Sequence, residues 1–276
     1  MRQMWSRLIS RLSFWPNFRL TSLNRFKMSR RVLISSGVAS TVNLAATSLV
    51  TAHASADETP ISIGIALPKL DTSTGPIFSP EEVKVVFVLG GPGVGKGTQC
   101  NRLVSQYGDY VHLSAGDLLR EERHRTGSQY GELIEHHIRE GKIVPYEITI
   151  SLLRKAMEAH FPKQHFLIDG FPRNVEQGKA FEAAICPCDR VLFFECSEEE
   201  MLKRLMHRGQ NSGRSDDNIE SIMKRFRTFK DATMPVWHYY NAKKKLLPIN
   251  AVGSVEQVYD RAEKALLEKT KKTAAL

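Results

Sequence analysis

A glycine-rich loop, Gly90–Thr98, constrains this chain more than any other segment. It follows the apolar run Val83–Leu89, which predicts a buried strand, and it leads into Gln99–Gln106, which predicts a helix. In that setting a G-x-x-x-x-G-K sequence is a phosphate-binding loop. Its glycines let backbone N–H groups face inward, the helix N-terminus adds a positive dipole, and Lys96 supplies a full charge. We therefore predict that the chain binds a nucleoside triphosphate.

The loop differs from the common pattern at one position. A serine or threonine usually follows the lysine, whereas Gly97 stands there in this chain and Thr98 comes next. An ordinary glycine-rich turn is the alternative interpretation. The strand and the helix on either side favour the phosphate site over it.

The positive charge of the chain is concentrated in its first residues. The net charge is +9, and eight positive charges with no Asp or Glu fall within residues 1–56, which leaves +1 for the remainder. Because the rest of the chain is nearly neutral, its charge gives no reason to expect nucleic acid as a partner.

Residues 1–56 are rich in arginine and serine and free of acidic residues, which is typical of a mitochondrial presequence. Within them, Val32–Ala52 is uncharged for 21 residues, long enough to span a bilayer. Its many Ser, Thr, Gly and Asn residues disfavour insertion, so we expect a removed or disordered leader and no stable membrane association. Met28 could serve as an internal start. Residues 57–82 contain four prolines and predict a linker.

The cysteines form no C-x-x-C pair and have no histidine at ligand spacing. We therefore expect reduced thiols in an intracellular protein.

From residue 83 onward, predicted strands alternate with predicted helices, which is typical of a parallel sheet covered by helices on both faces. Such sheets bind ligands at the carboxyl ends of their strands, where Gly90 and Gly170 both fall. The predicted strands are Val83–Leu89, Tyr110–Leu113, His165–Asp169, Arg190–Cys196 and Leu246–Asn250. The predicted helices are Lys96–Tyr107, Gly116–Arg125, Gly131–Glu140, Tyr146–His160, Val175–Ala184, Ser197–His207, Asn218–Asn241 and Ser254–Lys269.

Asp169, at the end of an apolar strand, is a candidate metal ligand. In a P-loop protein an acid at the end of a second core strand can hold Mg²⁺ or its water shell. Capping of the following turn is the alternative role for this carboxylate. The phosphate loop elsewhere in the chain favours the Mg²⁺ role.

Five arginines stand near turns and helix ends. Transfer of a phosphoryl group between two nucleotides collects negative charge, which forked guanidinium groups suit better than lysines do. Solvated surface arginines are the common alternative. Arg173, however, follows Gly170-Phe-Pro172, and Arg214 lies in a polar loop from Arg208 to Asn218 that could close over a site. The five are Arg120, Arg173, Arg208, Arg214 and Arg225.

A set of Ser-His-Asp or Cys-His residues is not apparent, and this transfer requires none. A nucleoside monophosphate brings its own phosphate oxygen as the attacking group. The protein then has only to position the substrates, neutralise charge and exclude water.

Six motifs identify a family when they are taken together. They are Gly90–Gln99, His112–Arg120, Ser128–Ile134, Glu140–Pro145, Ile168–Arg173 and Ser212–Asn218. Through them, the sequence from Val83 to about Leu267 resembles the adenylate kinase superfamily, and within it the UMP–CMP kinases, especially the fungal uridylate kinases. Residues 1–82 lie outside the resemblance.

The resemblance implies an α/β fold of the P-loop NTPase type, with a parallel five-stranded sheet flanked by helices. The kinase domain would span 83–272, with a helical insertion for the nucleoside monophosphate (NMP) at about 114–144 and a short lid at about 208–218. The implied activity is direct, in-line phosphoryl transfer by a monomer from ATP, with Mg²⁺, to UMP or CMP.

By position, the resemblance also implies a role for individual residues. The ATP set is Gly93, Val94, Gly95, Lys96, Gly97 and Thr98, with Arg208 against the base and Gly253 near the adenine. The NMP set is Arg120, Lys142, Ile143, Val144, Gly170, Phe171, Pro172, Arg173, Asn174, Gln177, Arg214 and Arg225. The catalytic set is Lys96, Arg173, Arg208, Arg214 and Arg225, with Asp169 reaching Mg²⁺ through water.

The acceptor base is predicted from four positions. Similar adenylate kinases carry Thr where Ala115 stands and Tyr where Phe171 stands, so that Ala115, Phe171 and Asn174 resemble the pyrimidine enzymes. Gln177 instead resembles the glutamine that reads adenine in adenylate kinases, and an amide can both donate and accept. We expect UMP first and then CMP, with dCMP and weaker AMP use in addition.

Three alternatives stay open. An adenylate kinase shares the scaffold and differs in the base pocket. A P-loop switch or ATPase would need a residue that orients water and a partner surface, whereas the sequence offers a second phosphate site and a lid. A mitochondrial tether with a decayed kinase body is opposed by the intact lysine, aspartate and arginines. For the compartment, the resemblance implies cytoplasm and nucleus, while residues 1–56 favour the mitochondrion.

Overall fold

A parallel β-sheet with the strand order β2-β3-β1-β4-β5 forms the centre of the computed structural model, which describes residues 65–210 and 216–267. The strands are β1 (Lys84–Gly90), β2 (Tyr110–Ser114), β3 (His165–Asp169), β4 (Cys188–Glu195) and β5 (Leu246–Asn250). Every neighbouring pair runs parallel. The predicted parallel five-stranded sheet is confirmed, with slightly shifted strand ends.

Helices connect the strands and cover the sheet. They are α1 (Lys96–Gln106), α2 (Ala115–His124), α3 (Gly131–Arg139), α4 (Tyr146–Ala159), α5 (Val175–Ala184), α6 (Glu198–Gly209), α7 (Ile219–Thr228), α8 (Met234–Ala242) and α9 (Val255–Leu267). Local hydrogen bonds set where some of them begin. At α9, the Gln257 N–H donates to Ser254 Oγ while Gln257 Oε1 accepts from the Ser254 N–H, which is a complete capping box.

The central strand β1 is apolar on both of its faces, as a sheet covered on both sides requires. Phe87 and Leu89 lie in a core formed with α4, α5 and α8, and Val86 and Val88 lie in a second core formed with α1, α6, α7 and α9. A smaller apolar cluster joins α2, α3 and α4. The predicted layering of helices on both faces is therefore confirmed.

One predicted helix is wrong. The segment Asn218–Asn241 is not a single α-helix, because a π-turn at Phe229–Thr233 separates α7 from α8. The Met234 N–H donates to the carbonyl of Phe229, five residues back. Pro235 stands in the first turn of α8. Since proline has no N–H and its ring clashes with the preceding turn of a helix, an uninterrupted helix through this residue is disfavoured.

The described part of the predicted linker, residues 65–82, contains no helix or strand. Its Ile77 and Phe78 N–H groups donate to the carbonyls of Ala184 and Ile185 at 3.2 and 2.9 Å. The segment thus lies against the end of α5 before it enters β1.

The predicted leader and its uncharged stretch lie outside the described residues. Within 65–210 and 216–267, none of the helices combines the length and the apolar character that crossing a membrane needs. All four cysteines are free thiols, as predicted: Cys100, Cys186, Cys188 and Cys196.

Phe87 is the packing centre of the first core. It is fully buried, and its ring meets the rings of Phe171, Phe181 and Tyr240 edge to face, with centroids 5.7, 5.4 and 5.9 Å away. This arrangement ties β1 to α5, α8 and the loop after β3.

We expect Phe87→Ala to lower the free energy of unfolding by about 3–5 kcal/mol, because it removes these contacts and leaves a cavity. Urea titration followed by circular dichroism measures the change. Phe161→Ala is the matched control, since Phe161 is 65% exposed and should move the value by about 0.5 kcal/mol or less. Equal effects of the two variants would contradict this description of the core.

Candidate active site

A cleft of about 800 Å³ opens at the carboxyl ends of the strands, beside β1. The chain places β3 on one side of β1 and β4 on the other, and ligands of open parallel sheets bind at such a point. A second cavity of about 50 Å³ adjoins the cleft, because Arg120, Arg173 and Arg225 line both.

The glycine loop after β1 packs so tightly against α6 that side chains are excluded. Gly93 has φ +82°, and a Cβ there would lie 2.6 Å from Leu205 Cγ and 2.7 Å from the Met201 carbonyl oxygen. Gly95, the residue before α1, has φ +100°. Both φ values lie where glycine alone is free of strain. The loop can therefore approach a phosphate chain with its backbone.

Lys96 begins α1 and folds back over this loop. Its Nζ donates to the carbonyl oxygens of Gly90 and Gly91 at 3.0 and 3.1 Å. Burial lowers the pKa of Lys96, and the nearby positive charges of Arg173 and Arg225 lower it further, while Asp169 opposes them. A phosphate in the cleft would place a negative charge beside this ammonium group and so favour its protonated form.

Asp169 points to the same place from the end of β3. Its Oδ1 is buried without a hydrogen-bond partner, and a Cβ on Gly97 would lie 3.5 Å from its Oδ2. His112 Nε2 lies 3.7 Å from Oδ2. An orphaned carboxylate oxygen beside a phosphate loop fits a hydrated Mg²⁺. The described residues contain no group of three His, Cys, Asp or Glu side chains that could hold a metal.

Four of the five predicted arginines line the cleft: Arg120 from α2, Arg173 after β3, Arg208 from α6 and Arg225 from α7. Burial lowers the pKa of Arg173. Burial also lowers the pKa of Arg225, to about 10, and the charges of Arg173 and Arg208 add to that effect. These cations repel one another at the position where an anionic ligand would lie.

Carboxylates of the chain hold three of these arginines in place. Arg208 donates to both carboxylate oxygens of Asp217, at 2.8 and 2.5 Å, and this hydrogen bonding raises the pKa of Arg208. Arg225 Nη1 lies 2.8 Å from Asp216 Oδ2. Arg120 pairs with Asp117 one turn earlier on α2. Asp216 and Asp217 lie in the last part of the predicted lid, about 208–218, and their carboxylates partly neutralise Arg208 of α6 and Arg225 of α7.

The second cavity lies between α2, α3 and the loop after β3. Its walls include Ala115, Phe171 and Gln177. The Gln177 amide is engaged with the backbone: Oε1 accepts from the Arg173 N–H at 2.8 Å, and Nε2 lies 3.5 Å from the Val144 carbonyl oxygen. Gln177, which forms part of the cavity wall, is thus hydrogen-bonded to the backbone of Arg173.

The structure brings most of the predicted site residues together. The cleft is lined by Gly93, Gly95, Lys96, Gly97, Thr98, Arg120, Asp169, Gly170, Pro172, Arg173, Arg208 and Arg225. The second cavity adds Lys142, Ile143, Val144, Phe171 and Gln177.

Four predicted residues are not among these. Val94 is buried behind the loop, and Gly253 lies in the loop after β5, away from both cavities. Asn174 caps α5, where its Oδ1 accepts from the Gln177 N–H at 2.8 Å. Arg214 lies outside the described residues.

Arg204 lines the cleft and was missed by the sequence reasoning. Its guanidinium donates to the carbonyl oxygens of Val94 and Ala251, both at 3.1 Å, and so joins the phosphate loop to the loop after β5. One signal was available. Arg204 precedes Arg208 by four residues, which places both on one face of a helix.

Comparison with known proteins agrees with this site. A family model described as Adenylate kinase matches residues 88–245. Uridylate kinase of Saccharomyces cerevisiae is 55% identical over 197 residues, which cover 71% of this chain and 96% of the yeast protein. Uridylate kinase of Schizosaccharomyces pombe is 54% identical over 66% of this chain and 96% of its own length. UMP-CMP kinase of Gallus gallus is 52% identical over 64% of this chain and 93% of its own length. The resemblance inferred from six motifs is confirmed.

We expect Lys96→Ala to weaken ATP binding by about 10- to 100-fold, because hydrogen bonds to a charged group contribute about 1.5–3 kcal/mol. The fold should persist, since the variant removes a buried cation whose charged form burial disfavours. Calorimetric titration with ATP and a thermal melt measure the two effects.

Lys163→Ala is the control for the loss of one positive charge. The exposed Lys163 donates to the Gly108 carbonyl and lines neither cavity. This variant should bind ATP as the wild type does. Undiminished ATP affinity in Lys96→Ala would rule out the phosphate role of this lysine.

Proposed function

Because the chain belongs to the adenylate kinase family, we propose that it catalyses the ATP-dependent phosphorylation of pyrimidine nucleoside monophosphates, UMP and CMP, to their diphosphates. The observation that carries this proposal is the cluster of partly buried cations between two adjoining cavities. One cavity begins at the phosphate loop and the other ends in an apolar wall. Two phosphorylated ligands that meet at the cations would account for this arrangement.

The donor side would hold ATP through the backbone of the loop after β1 and through Lys96. The acceptor side would hold the monophosphate through Arg120, Arg173 and Arg225, which line both cavities. Guanidinium groups match phosphate oxygens two at a time. With both substrates so placed, an oxygen of the acceptor phosphate could attack the γ-phosphorus of ATP in line.

The transfer then needs no protein nucleophile. The acceptor oxygen forms a bond to the γ-phosphorus as the bond to the bridging oxygen of ADP breaks, and negative charge spreads over the transferred group. Arg208 on α6 and Arg214 in the predicted lid would neutralise that charge. Their approach would also exclude water, which would otherwise accept the phosphoryl group.

Mg²⁺ bound with ATP would neutralise phosphate charge at this point. Asp169, with its orphaned Oδ1, would hold the ion through water. Thr98 lines the same cleft.

The walls of the second cavity support a pyrimidine acceptor. Ala115 and Phe171 form part of them, and these are two of the positions at which the sequence resembles the pyrimidine enzymes. Gln177 presents an amide at this wall, and an amide can meet either pyrimidine, since it both donates and accepts.

Steady-state kinetics with UMP, CMP and AMP test the proposal. We expect kcat/KM to be highest for UMP, then CMP, and lowest for AMP, and we expect ATP consumption to depend on the acceptor. Preference for AMP would make the protein an adenylate kinase. Equal ATP consumption with and without UMP would make it an ATPase, since a switch or motor needs no acceptor.

We further propose that the protein acts as a monomer, as the family resemblance implies. We also propose that it acts without nucleic acid, because the net charge outside residues 1–56 is close to zero. Its compartment has two candidates. The family resemblance favours cytoplasm and nucleus, whereas the arginine-rich leader favours the mitochondrion.

Imaging of two versions fused at the C-terminus to a fluorescent protein separates these candidates. A version that starts at Met28 lacks six of the eight leader charges, so we expect it in cytoplasm and nucleus. If residues 1–56 are a presequence, the full-length version accumulates in mitochondria. The same cytoplasmic distribution for both versions would contradict the presequence.

A further inference from the structure

Two threonines line the cleft at the π-turn between α7 and α8: Thr228 directly precedes the turn, and Thr233 is its last residue. Thr228 Oγ1 donates to the carbonyl oxygen of Gly141 at 2.7 Å, and Thr233 Oγ1 donates to the carbonyl oxygen of Arg173 at 2.9 Å. Both carbonyl groups belong to segments that also line the second cavity. One helical segment thus contacts the acceptor side of the site at two points.

The π-turn makes this double contact geometrically reasonable. In an uninterrupted α-helix, two residues five apart differ by about 140° around the axis, so their side chains face different sides. A π-turn instead bonds residue i to residue i+5, which brings such residues toward one face. Phe229 and Met234 make this bond here, one residue along from the two threonines. π-Turns within helices are frequent at functional sites.

The main chain of Arg173 is held from both sides. Its N–H donates to Gln177 Oε1 at 2.8 Å, and its carbonyl accepts from Thr233 Oγ1 at 2.9 Å. Its Nε also donates to the Gly170 carbonyl at 3.3 Å. Thr233 is 6% exposed, so water has poor access to replace its hydroxyl. The position of the guanidinium group therefore depends on α5 and on the π-turn together.

From these contacts we propose that Thr233 is a positioning residue for Arg173. The Thr233 hydroxyl fixes the Arg173 backbone, and the guanidinium group is thereby aimed at the point where the two cavities meet. The proposal rests on the proposed function only through the role of Arg173 as a ligand of the acceptor phosphate. It assigns no substrate contact to Thr233 itself.

A double-mutant cycle tests the proposal. Thr233→Val keeps the side-chain shape and removes the hydroxyl, and we expect it to lower kcat/KM for the acceptor about tenfold, while KM for ATP changes less than twofold. Small displacements of a positioning group produce losses of this size. Thr233→Ser keeps the hydroxyl and should stay within about twofold of the wild type. In the Arg173→Ala background, measured under single-turnover conditions, Thr233→Val should have no further effect.

Thr228→Val is the matched control, since it removes a similar hydroxyl from the other side of the π-turn, one that contacts Gly141. Any change in kcat/KM that Thr228→Val causes should be the same in the Arg173→Ala background as in the otherwise wild-type protein. Three results would each overturn the proposal: an undiminished effect of Thr233→Val in that background, wild-type kinetics of Thr233→Val, or failure of Thr233→Ser to restore activity.

The kinetics of the wild-type protein distinguish a failure of this proposal from a failure of the proposed function on which it rests. The cycle uses the monophosphate with the highest kcat/KM, so a preference for AMP would change the assigned acceptor and leave the cycle valid. Absence of transfer to any monophosphate by the wild type would overturn the proposed function, and this inference with it. A urea titration of each variant shows that the compared proteins are folded.

Discussion

Mutual repulsion among partly buried cations is the constraint on which the rest of this site depends. Lys96, Arg173 and Arg225 have pKa values that burial lowers, and each lies near others of the same sign. Buried charges are tolerated only when they are paired or bonded. Asp216 and Asp169 provide part of the compensation. A ligand with several phosphate oxygens would provide the remainder, so affinity for phosphate follows from the cost of keeping the cluster buried.

The fold is what brings these cations together. Lys96 follows β1 and Arg173 follows β3, two neighbouring strands whose carboxyl ends meet at one edge of the sheet. Arg208 and Arg225 come from α6 and α7, which pack in the same core as α1. Asp217 joins them at 2.5 Å from Arg208 and 3.6 Å from Arg225. The cluster is therefore a product of chain topology, and its members are far apart in sequence.

This origin explains what could be predicted from the sequence. The glycine loop, the strand ending in Asp169 and the capping box at Ser254 are local patterns, and the structure contains each of them. The contact of Arg204 with Ala251, 47 residues away, has no local pattern, and neither does the hydrogen bond from Thr233 to the Arg173 carbonyl, which spans 60 residues. The break in the predicted helix Asn218–Asn241 does have a local signal in Pro235, which disfavours an uninterrupted helix.

The second cavity and the cleft share a hydrogen-bonded wall. This shared wall limits how independently the choice of acceptor base and the rate of transfer can vary. Gln177 faces the second cavity and accepts from the Arg173 N–H, while the Arg173 side chain lines both cavities. Residues in direct contact do not act additively. A substitution at Gln177 that altered base preference would also remove the hydrogen bond to the Arg173 N–H. The choice of acceptor and the alignment of its phosphate therefore depend on the same two residues.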